Sequence, residues 1–380
     1  MNPSFAEDAA WKERLAQGEL SGKSRQLFAE FALTRVSRTF ALNIRVLPQP
    51  LRDHVLYAYL YCRMADTLED DAHLERGDKA RLLKRFSTLF NESHEDRANI
   101  ERHMREFPEQ LPVAWRFSAQ WEHLLLVHAP VVLIPFLDFP KPATRVISRC
   151  LREMCSGMGD FASNPDMHPV KTIADLDRYC YYVAGTVGEL LCELFIQHTG
   201  VREDRALQLR KLCVSFGLGL QLTNILKDLH DDRDRNVFWL PEDLLIAQGL
   251  TLQEFFSDSA ADGRKAVYRT LFSKTQKHLE DALEYSCLIP RWDMKLRLFC
   301  LWPLFMAAET LALLAESVDA LTQGVRLKIP RQTVKRIVRR TSLFGWSNGW
   351  IHREFAKPMQ RLEMAAQHLA PSPILHKSPL

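Results

Sequence analysis

The stretch YLYCRMADTLEDD, residues 59–71, starts as apolar helical text and carries four acids within its last six residues. Four of its side chains stand at i, i+4, i+7 and i+11, so an α-helix would project them from one face: Tyr59, Arg63, Asp66 and Asp70. The two aspartates would lie one turn apart, about 6 Å along the helix axis. Carboxylates at that separation can share Mg²⁺, which prefers a few carboxylates, several waters and phosphate oxygens. The alternative interpretation is a solvated helix end.

The same arrangement recurs in GLGLQLTNILKDLHDD, residues 217–232. Here the positions i, i+3, i+7 and i+11 hold Gln221, Asn224, Asp228 and Asp232. Apolar residues flank both stripes, and polar groups in such a setting need partners because burying them unsatisfied is costly. One acidic pair alone is more typical of a solvated surface, whereas two pairs favour metal-binding helices. Facing each other across a bundle, these helices would bind a diphosphate through metals that neutralise the leaving group.

Composition sets the class of protein. The chain has 380 residues, 47% of them hydrophobic, and a net charge of +3, which is ordinary for a folded protein and gives no sign of general nucleic-acid binding. None of the eight cysteines forms a CxxC pair, which favours free thiols in a reducing, cytoplasmic compartment. The polar N-terminal text has no apolar signal core. The most apolar segment, 298–315, contains Pro303 and Glu309, so a buried core helix is favoured over a membrane span.

Periodicity predicts an all-α protein. Apolar residues recur at three- and four-residue spacing, for example over 207–229 and 265–288. Because no long Gly/Ser- or Pro-rich linker separates two halves, we expect a single large helical domain. The predicted divisions are an N-terminal extension, a catalytic domain, and a C-terminal helix with a disordered tail: 1–20, 21–345 and 346–380.

Several segments together resemble the squalene/phytoene synthase family, the head-to-head isoprenyl diphosphate synthases. They span most of the chain in the family's order and are highly specific in combination: SRTFALNIRVLP (37–48), YLYCRMADTLEDD (59–71), MCSGMGDFA (154–162), YCYYVAGTVGELL (179–191), QLTNILKDLHDD (221–232) and FWLPEDL (238–244). The resemblance implies an all-α isoprenoid synthase fold, a helical bundle around a deep central cavity with the two acidic motifs at its mouth.

The resemblance also assigns roles to individual residues. The metal-binding motifs it implies comprise Asp66, Glu69 and Asp70 in the first, and Asp228, Asp231 and Asp232 in the second. Polar residues ahead of the second motif match Gln221 and Asn224. A flap over the diphosphates is implied for Ser37, Arg38 and Phe40. Catalytic side chains beside the first motif match Tyr59 and Arg63, and Tyr179 matches a tyrosine implicated in proton handling.

The family's reaction joins two prenyl diphosphates through a cyclopropylcarbinyl diphosphate. The resemblance therefore implies Mg²⁺ and two molecules of farnesyl diphosphate, and for squalene synthases a second step in which NADPH delivers hydride, leading to sterol or hopanoid biosynthesis. The NADPH-binding residues it suggests are Lys227, Arg235 and Lys328. Three features around this region depart from the family's pattern: Lys227 in place of an arginine, the spacing at Arg235–Asn236, and Pro330 in place of a basic residue. The reductive step is therefore less firmly predicted than the coupling step.

The segment YCYYVAGTVGELL predicts one wall of the substrate cavity. On a continuous helix, Tyr179, Val183, Val187 and Leu191 would share a face at four-residue steps. Glycine inside a helix costs about 1 kcal/mol against alanine, so the two glycines of this segment indicate close approach by a neighbouring helix or by a long apolar ligand. The resemblance favours the ligand. Aromatic walls would exclude water and stabilise a carbocation, and the candidates are Phe40, Tyr179 and Phe299.

The segment VRLKIPRQTVKRIVRR, residues 325–340, carries many cations and no acid. It is either a solvated cationic face or a contact with a membrane surface, since the substrate and product are lipids. No apolar anchor follows Arg340, so the sequence predicts a soluble enzyme or one peripheral to the membrane.

Three functions compete. A squalene synthase is the first interpretation, and a phytoene or dehydrosqualene synthase that performs the condensation without reduction is the second. The acidic residue in YCYYVAGTVGE, Glu189, favours the carotenoid-type enzymes, whereas SRTFALNIRVLP and FWLP favour squalene synthases. A non-catalytic prenyl-lipid-binding relative is the third, and it gives no reason for two acid pairs of the same spacing within one chain.

Overall fold

The computed structural model describes residues 3–18, 20–90, 96–164, 170–234, 237–257 and 261–369, with the side chains of 3–5, 38, 39 and 261 also left undescribed. Every regular element in these ranges is helical, and no strand occurs in them. The all-α prediction is therefore confirmed. The chain divides into two compact units, Met1–Ser163 and Asn164–Leu380. The predicted tail after residue 369 lies outside the described residues, and the divisions at 20/21 and 345/346 stay predictions.

The first unit contains nine described α-helices, and 3-10 segments occur among the described links between them. They are α1 (Pro3–Ala16), α2 (Lys23–Val36), α3 (Arg38–Val46), α4 (Leu51–Asp70), α5 (Arg76–Ser87), α6 (Arg97–Glu106), α7 (Trp121–Val127), α8 (Ala129–Leu133) and α9 (Lys141–Ser163).

The core of this unit lies where α4 and α5 pack on α9. Aromatic rings fill it: Tyr61 lies 5.1 Å from Phe90, which lies 5.2 Å from both Phe86 and Phe136. The Tyr61 hydroxyl donates a hydrogen bond to the carbonyl of Val132 at 2.8 Å, so the buried phenol is satisfied. This packing fixes which face of α4 is buried. The face that carries Tyr59, Arg63, Asp66 and Asp70 lies on another side of the helix.

The predicted N-terminal extension is built into the first unit. Trp11 of α1 is buried; its ring stacks on Phe31 of α2 and lies tilted against Phe28, with centroids 5.6 Å apart in both pairs. Arg35 also bonds Asp8 at 2.7 Å. Trp11 and Leu15 therefore attach α1 to the core of the first unit, while most other described side chains of this helix are exposed.

The second unit contains ten described α-helices. They are α10 (Ile173–Cys180), α11 (Thr186–Thr199), α12 (Glu203–Asp234), α13 (Glu242–Ile246), α14 (Leu252–Phe255), α15 (Ala261–Leu288), α16 (Met294–Glu316), α17 (Val318–Thr322), α18 (Arg331–Phe344) and α19 (Asn348–Gln367). Helix α12 is central, since it packs on α11, α15 and α16.

The segment between α10 and α11 does not continue as an α-helix. Residues Tyr181–Gly185 form a π-helical turn, so the expectation of uninterrupted four-residue steps from Tyr179 to Leu191 was wrong at this point. A π turn holds more residues than an α turn and shifts the register of the side chains that follow it. Such turns occur frequently at functional sites.

The glycines beside this turn serve helix packing. A Cβ on Gly188 would lie 2.2 Å from the carbonyl oxygen of Cys213, and one on Gly217 would lie 2.2 Å from that of Ala184. Both carbonyls belong to the facing helical segment. The preference for an apolar ligand was therefore wrong for Gly188, because the backbone of α12 already occupies the space. A Cβ on Gly185 would lie 3.2 Å from side-chain atoms of Val214 and Leu218, which also belong to α12.

Helix α16 is the one described helix long and apolar enough to cross a membrane, and 78% of its most apolar window is buried inside the protein. Trp121–Val127 and Ala129–Asp138 would pass the same test only as a pair, and a 76° bend separates them. The burial of α16 confirms the prediction of a core helix for residues 298–315.

Candidate active site

The first acidic ridge consists of Asp66, Glu69 and Asp70 in the last turns of α4. About a third of the Asp66 side chain is exposed (32%), yet the surrounding protein removes enough hydration to raise the pKa of its carboxyl to about 7, against the opposing effect of Arg63. Burial, followed by the charges of Asp70 and Asp66, also raises the pKa of Glu69 well above its ordinary value. In the protein alone, burial therefore favours the neutral form of both carboxyls.

The fourth acid of the opening stretch, Asp71, has a different task. Its carboxylate lies 2.9 Å from Nε2 of His123 and accepts hydrogen bonds from the backbone amides of His73 and Leu74. Both partners of the Asp71–His123 pair are almost fully buried. Asp71 therefore ends α4 and fixes the following turn, which separates it from the first acidic ridge.

Tyr59 and Arg63 lie on the same helix, ahead of the ridge. Arg63 reaches Asp66 at 4.0 Å and Glu122 of α7 at 3.4 Å. Burial raises the pKa of Tyr59 to about 12, so its phenol is neutral at physiological pH. Glu122 was absent from the sequence prediction, because nothing in its local text distinguishes it from a surface acid.

Two of the three predicted flap residues lie beside Tyr59. A hydrogen bond joins the hydroxyls of Ser37 and Tyr59, and the Phe40 ring lies 5.5 Å from the Tyr59 ring. Ser37 also begins α3, since its Oγ accepts a hydrogen bond from the Phe40 amide. The side chain of Arg38 lies outside the described residues. The structure therefore places Ser37 and Phe40 beside Tyr59, about two turns before Asp66 on α4.

The second acidic ridge consists of Asp228, Asp231 and Asp232 near the C-terminal end of α12. Asp232 is buried, whereas Asp228 and Asp231 are half-buried. Gln221, half-buried, and Asn224, exposed, precede the ridge on the same helix. The apolar residues between them, such as Leu222 and Leu226, are buried and fix which face of the helix the ridge occupies.

Two cations lie on this second ridge. Nζ of Lys227 is 3.1 Å from Asp228 and donates a hydrogen bond to Oδ1 of Asn224 at 3.2 Å. Arg326 donates from Nε to Oδ1 of Asp231 at 2.8 Å. Arg326, Asp228 and Asp231 line a cleft together with Asp234. Lys328, which the resemblance suggests for NADPH binding, is exposed. Arg326, two residues earlier, was not singled out from the sequence, and it contacts Asp231.

Tyr179 is buried at the end of α10 and stacks on Trp239, with ring centroids 3.5 Å apart and planes 18° apart. The amide of Val237 donates to the carbonyl of Asp232 at 2.9 Å. Because Trp239 follows two residues later, this bond ties the loop that carries Trp239 to the end of the second ridge. Trp239 stands in the quoted segment FWLPEDL, but its position against Tyr179 required the tertiary structure.

The residues predicted for the apolar wall lie on three segments of the second unit, namely α16, the π turn and α11. Phe299 of α16 is buried and meets Phe195 of α11 edge-on, with centroids 5.5 Å apart. Val183, in the π turn, is half-buried. Val187 and Leu191, on α11, are half-buried as well. These side chains keep accessible apolar surface on the same segment as Tyr179.

The residues fit Mg²⁺ by the chemistry of their donors. No group of three or more His, Cys, Asp or Glu side chains within the described ranges is arranged to hold a metal ion by itself. Mg²⁺ does not require such a cage, because it keeps several waters and binds through one or two carboxylates plus substrate phosphates. The carboxylates of the first acidic ridge, which are spaced by about one helical turn, suit this mode of binding.

The structure describes the predicted NADPH-binding residues less completely than the predicted metal-binding residues. Lys227 is engaged by Asn224 and Asp228, Lys328 is exposed, and Arg235 lies outside the described residues. Lys227 and Lys328 both belong to the second unit and could contact the phosphates of a dinucleotide. Because only two of the three predicted cations can be described, the fit to NADPH is partial.

Comparison with known proteins gives the family. Residues 33–333 match the model of the squalene/phytoene synthase family. The squalene synthase of Gibberella zeae is 29% identical over 322 residues, which cover 83% of this chain and 65% of that protein, just under two thirds. The squalene synthase of Yarrowia lipolytica is 29% identical over 344 residues, covering 88% of this chain and 72% of the other.

A solved complex of TcSQS with the ligand BPH1237 has a TM-score of 0.74 at 24% identity, covering 90% of this chain and 96% of the other. At this identity the likeness concerns the fold, and it confirms the predicted isoprenoid synthase fold class. The family match covers well over half of the chain, in the order of the quoted segments. The chain belongs to the squalene/phytoene synthase family.

Proposed function

We propose that this protein is a squalene synthase. It joins two farnesyl diphosphates head to head through presqualene diphosphate, and then reduces this intermediate with NADPH to squalene. Members of its family are prenyltransferase-type enzymes, and both relatives described above carry the name squalene synthase.

One observation carries the proposal. Two helices, α4 and α12, each present an acid pair one turn apart, preceded on the same helix by polar side chains. A diphosphate leaving group needs its charge neutralised while an allylic cation forms, and carboxylate pairs recruit the divalent cations that do so. A protein that merely bound a prenyl lipid would gain nothing from grouping so many acids at these positions.

The chain's own side chains have distinct tasks in the proposed reaction. The first and second acidic ridges would hold Mg²⁺, which when bound supplies Lewis-acid stabilisation of the diphosphate. Arg63, fixed between Asp66 and Glu122, would orient a diphosphate oxygen by charge-assisted hydrogen bonding. Neutral Tyr59 would donate a hydrogen bond at the same place, since burial keeps its proton on.

Tyr179 would take part in proton transfer during the first half-reaction. A phenol of reference pKa about 10 is a weak base, so the released diphosphate accepts the proton and the tyrosine positions or relays it. Stacking on Trp239 holds the Tyr179 ring in one orientation. Phe299, Val183, Val187 and Leu191 would supply dry apolar surface, because water would quench a carbocation.

Product analysis tests the proposal. The purified protein is incubated with farnesyl diphosphate and Mg²⁺, with and without NADPH, and the hydrocarbons are identified by mass spectrometry. Squalene formed only with NADPH supports a squalene synthase. A hydrocarbon formed equally well without NADPH would replace it by the alternative, a phytoene or dehydrosqualene synthase.

The metal role is tested by substitution. Asp66→Asn or Asp228→Asn should abolish diphosphate release while the circular dichroism spectrum is unchanged. Asp71→Asn is the matched control: it removes an acid from the same stretch, yet Asp71 pairs with His123, so turnover should keep its dependence on Mg²⁺. Near-normal turnover in the Asp66 or Asp228 variant would refute the assignment of the ridges.

The condensation without reduction remains the second candidate. It is favoured by Glu189 in the segment that resembles carotenoid-type enzymes, and by the partial set of cations available to NADPH. Because all eight cysteines are free thiols, as in a reducing compartment, we place the enzyme in the cytoplasm. Its lipid substrate and product support contact with a membrane surface.

A further inference from the structure

Large apolar side chains are exposed at one end of the second unit. The turn that joins α18 to α19 exposes Leu343, Phe344 and Trp346. The loop between α15 and α16 exposes Trp292, of which 83% is accessible. Tryptophan is seldom left so open on a soluble surface, and several large apolar groups together indicate an interaction site.

A single buried arginine joins these two loops. Arg297 of α16 donates from Nε to the carbonyl of Gly345 and from Nη1 to that of Ile289, both at 2.8 Å. Its third nitrogen bonds Asn348 at the start of α19. Gly345 directly precedes Trp346, and Ile289 stands three residues before Trp292. The two tryptophans therefore project from loops that are held on one guanidinium group and cannot fold inward without breaking buried hydrogen bonds.

The basic side chains of α18 divide into two sets. Arg336 and Arg340 bond acids of the neighbouring helices, Glu309 at 3.0 Å and Glu354 at 3.0 Å. These pairs lie on the side of α18 that packs on α16 and α19.

The second set follows the outer side of the helix. Arg331, Lys335 and Arg339 stand at i, i+4 and i+8, and all three are exposed. In the part of the chain that the structure describes, none of their side chains forms an ion pair or hydrogen bond. Four residues beyond Arg339, the same row reaches the exposed Leu343.

We propose that this end of the second unit docks on an anionic lipid bilayer. The docking surface consists of the basic row Arg331, Lys335 and Arg339 together with the apolar tip Trp292, Leu343, Phe344 and Trp346. Lysine and arginine attract the negative surface of the leaflet, while tryptophan and leucine enter the boundary between headgroups and acyl chains.

Charge favours a bilayer over a protein partner. From Val325 to Arg353 the chain contains no Asp or Glu. The acid that directly follows Trp292, Asp293, accepts a hydrogen bond from the Leu296 amide at the start of α16 and lies 3.9 Å from His198. A cationic row that runs into a rigid aromatic tip matches the layers of a membrane surface, where charge lies outside and apolar depth lies inside.

Vesicle binding tests this inference independently of catalysis. The full-length protein is sedimented with phosphatidylcholine vesicles and with vesicles that also contain phosphatidylglycerol. We expect binding to the anionic vesicles that weakens steeply with salt. The triple variant Arg331→Gln/Lys335→Gln/Arg339→Gln should bind roughly a hundred-fold more weakly, because each cation near the surface contributes about a factor of five.

The apolar tip has its own readout. Brominated lipids should quench the fluorescence of the wild type, and the double variant Trp292→Phe/Trp346→Phe should lose most of that quenching. Trp292→Ala/Trp346→Ala should weaken vesicle binding by roughly ten-fold or more. Turnover of all variants in detergent should equal that of the wild type, since none of these residues belongs to the candidate active site.

Ile246→Ala is the matched control, an exposed apolar residue elsewhere in the same unit. Its helix, α13, packs on α15, and Leu250 just beyond it meets Gly263 near the first turn of α15. The docking surface lies beyond the last turn of α15. The 28 residues of that helix span about 40 Å, which separates Ile246 from the docking surface. Equal binding to neutral and anionic vesicles, or unchanged binding in the tip and charge variants, would overturn the inference. So would a dimer in light scattering that the tip variants abolish without any vesicle binding by the wild type.

Discussion

Gly188→Ala separates the two explanations of the glycines near the π turn. A methyl group at Gly188 would lie 2.2 Å from the carbonyl oxygen of Cys213, whereas ordinary contacts begin at 3.4 Å. The backbones of α11 and α12 must therefore separate by about 1 Å, and overpacking of this kind costs about 1–3 kcal/mol. The helix propensity of alanine returns up to about 1 kcal/mol.

The net effect is a loss of about 1–2 kcal/mol in the free energy of unfolding. For 380 residues, the entropy of unfolding is about 0.8 kcal/mol per degree. The midpoint of thermal unfolding should then fall by about 2 °C, which differential scanning calorimetry resolves. The measurement is made without substrate, so that only packing within the protein contributes.

Gly159→Ala is the matched control. Gly159 lies inside α9, and the nearest atom to an added Cβ is 3.9 Å away, so alanine should stabilise the protein by up to about 1 kcal/mol. The two variants are thus expected to change stability in opposite directions. If Gly188→Ala also stabilised the substrate-free protein and impaired only substrate binding, the glycine would serve a ligand and the packing argument would be refuted.

Three further substitutions test other contacts. Trp239→Ala should lower turnover by roughly ten-fold or more, measured with saturating substrate, because Tyr179 loses the ring that orients it. Arg326→Gln should tighten Mg²⁺ binding by up to about five-fold in calorimetric titration, since an exposed ion pair such as that with Asp231 contributes up to about 1 kcal/mol and competes with the metal. Trp11→Ala should reduce the free energy of unfolding of the first unit by about 3 kcal/mol in denaturant titration, because it empties an aromatic core position.

Each of these has a control in the same chain. Trp239→Phe keeps a stacking ring and should retain most of the turnover; equal loss in both variants would contradict the orienting role. Lys328→Gln removes an exposed cation two residues from Arg326 and should leave Mg²⁺ binding unchanged. Trp11→Phe should cost less than half as much stability as the alanine variant, and an unchanged stability in both would show that α1 is an appendage after all.

The sequence alone predicted what depends on local periodicity. The acid pairs of α4 and α12 are spaced by one helical turn, so their place on one face of each helix followed from the chain itself. The all-α class followed from the same three- and four-residue spacing. The burial of α16 followed from its apolar composition interrupted by Pro303 and Glu309, because a helix that is apolar on every side belongs in a core unless it spans a membrane.

Partners that are distant in the chain could not be predicted in this way. Asp71 and Asp70 are neighbours in sequence, yet Asp71 is held by His123, fifty-two residues away. Likewise Arg326, which the sequence did not single out, meets Asp231, ninety-five residues away. Both choices depend on which side chain the backbone brings within hydrogen-bond distance, and periodicity contains no information about that distance.

The glycines near the π turn show most clearly what the sequence predicted and what only the tertiary structure decided. Their cost inside a helix showed from the sequence that something approaches closely at this segment. Only the tertiary structure decided that the close neighbour is the carbonyl of Cys213 and that a π turn precedes it. A glycine in a helix shows from the sequence that space is needed at that position. Which group fills the space depends on how the helices pack together, and this packing forms only when the helices assemble.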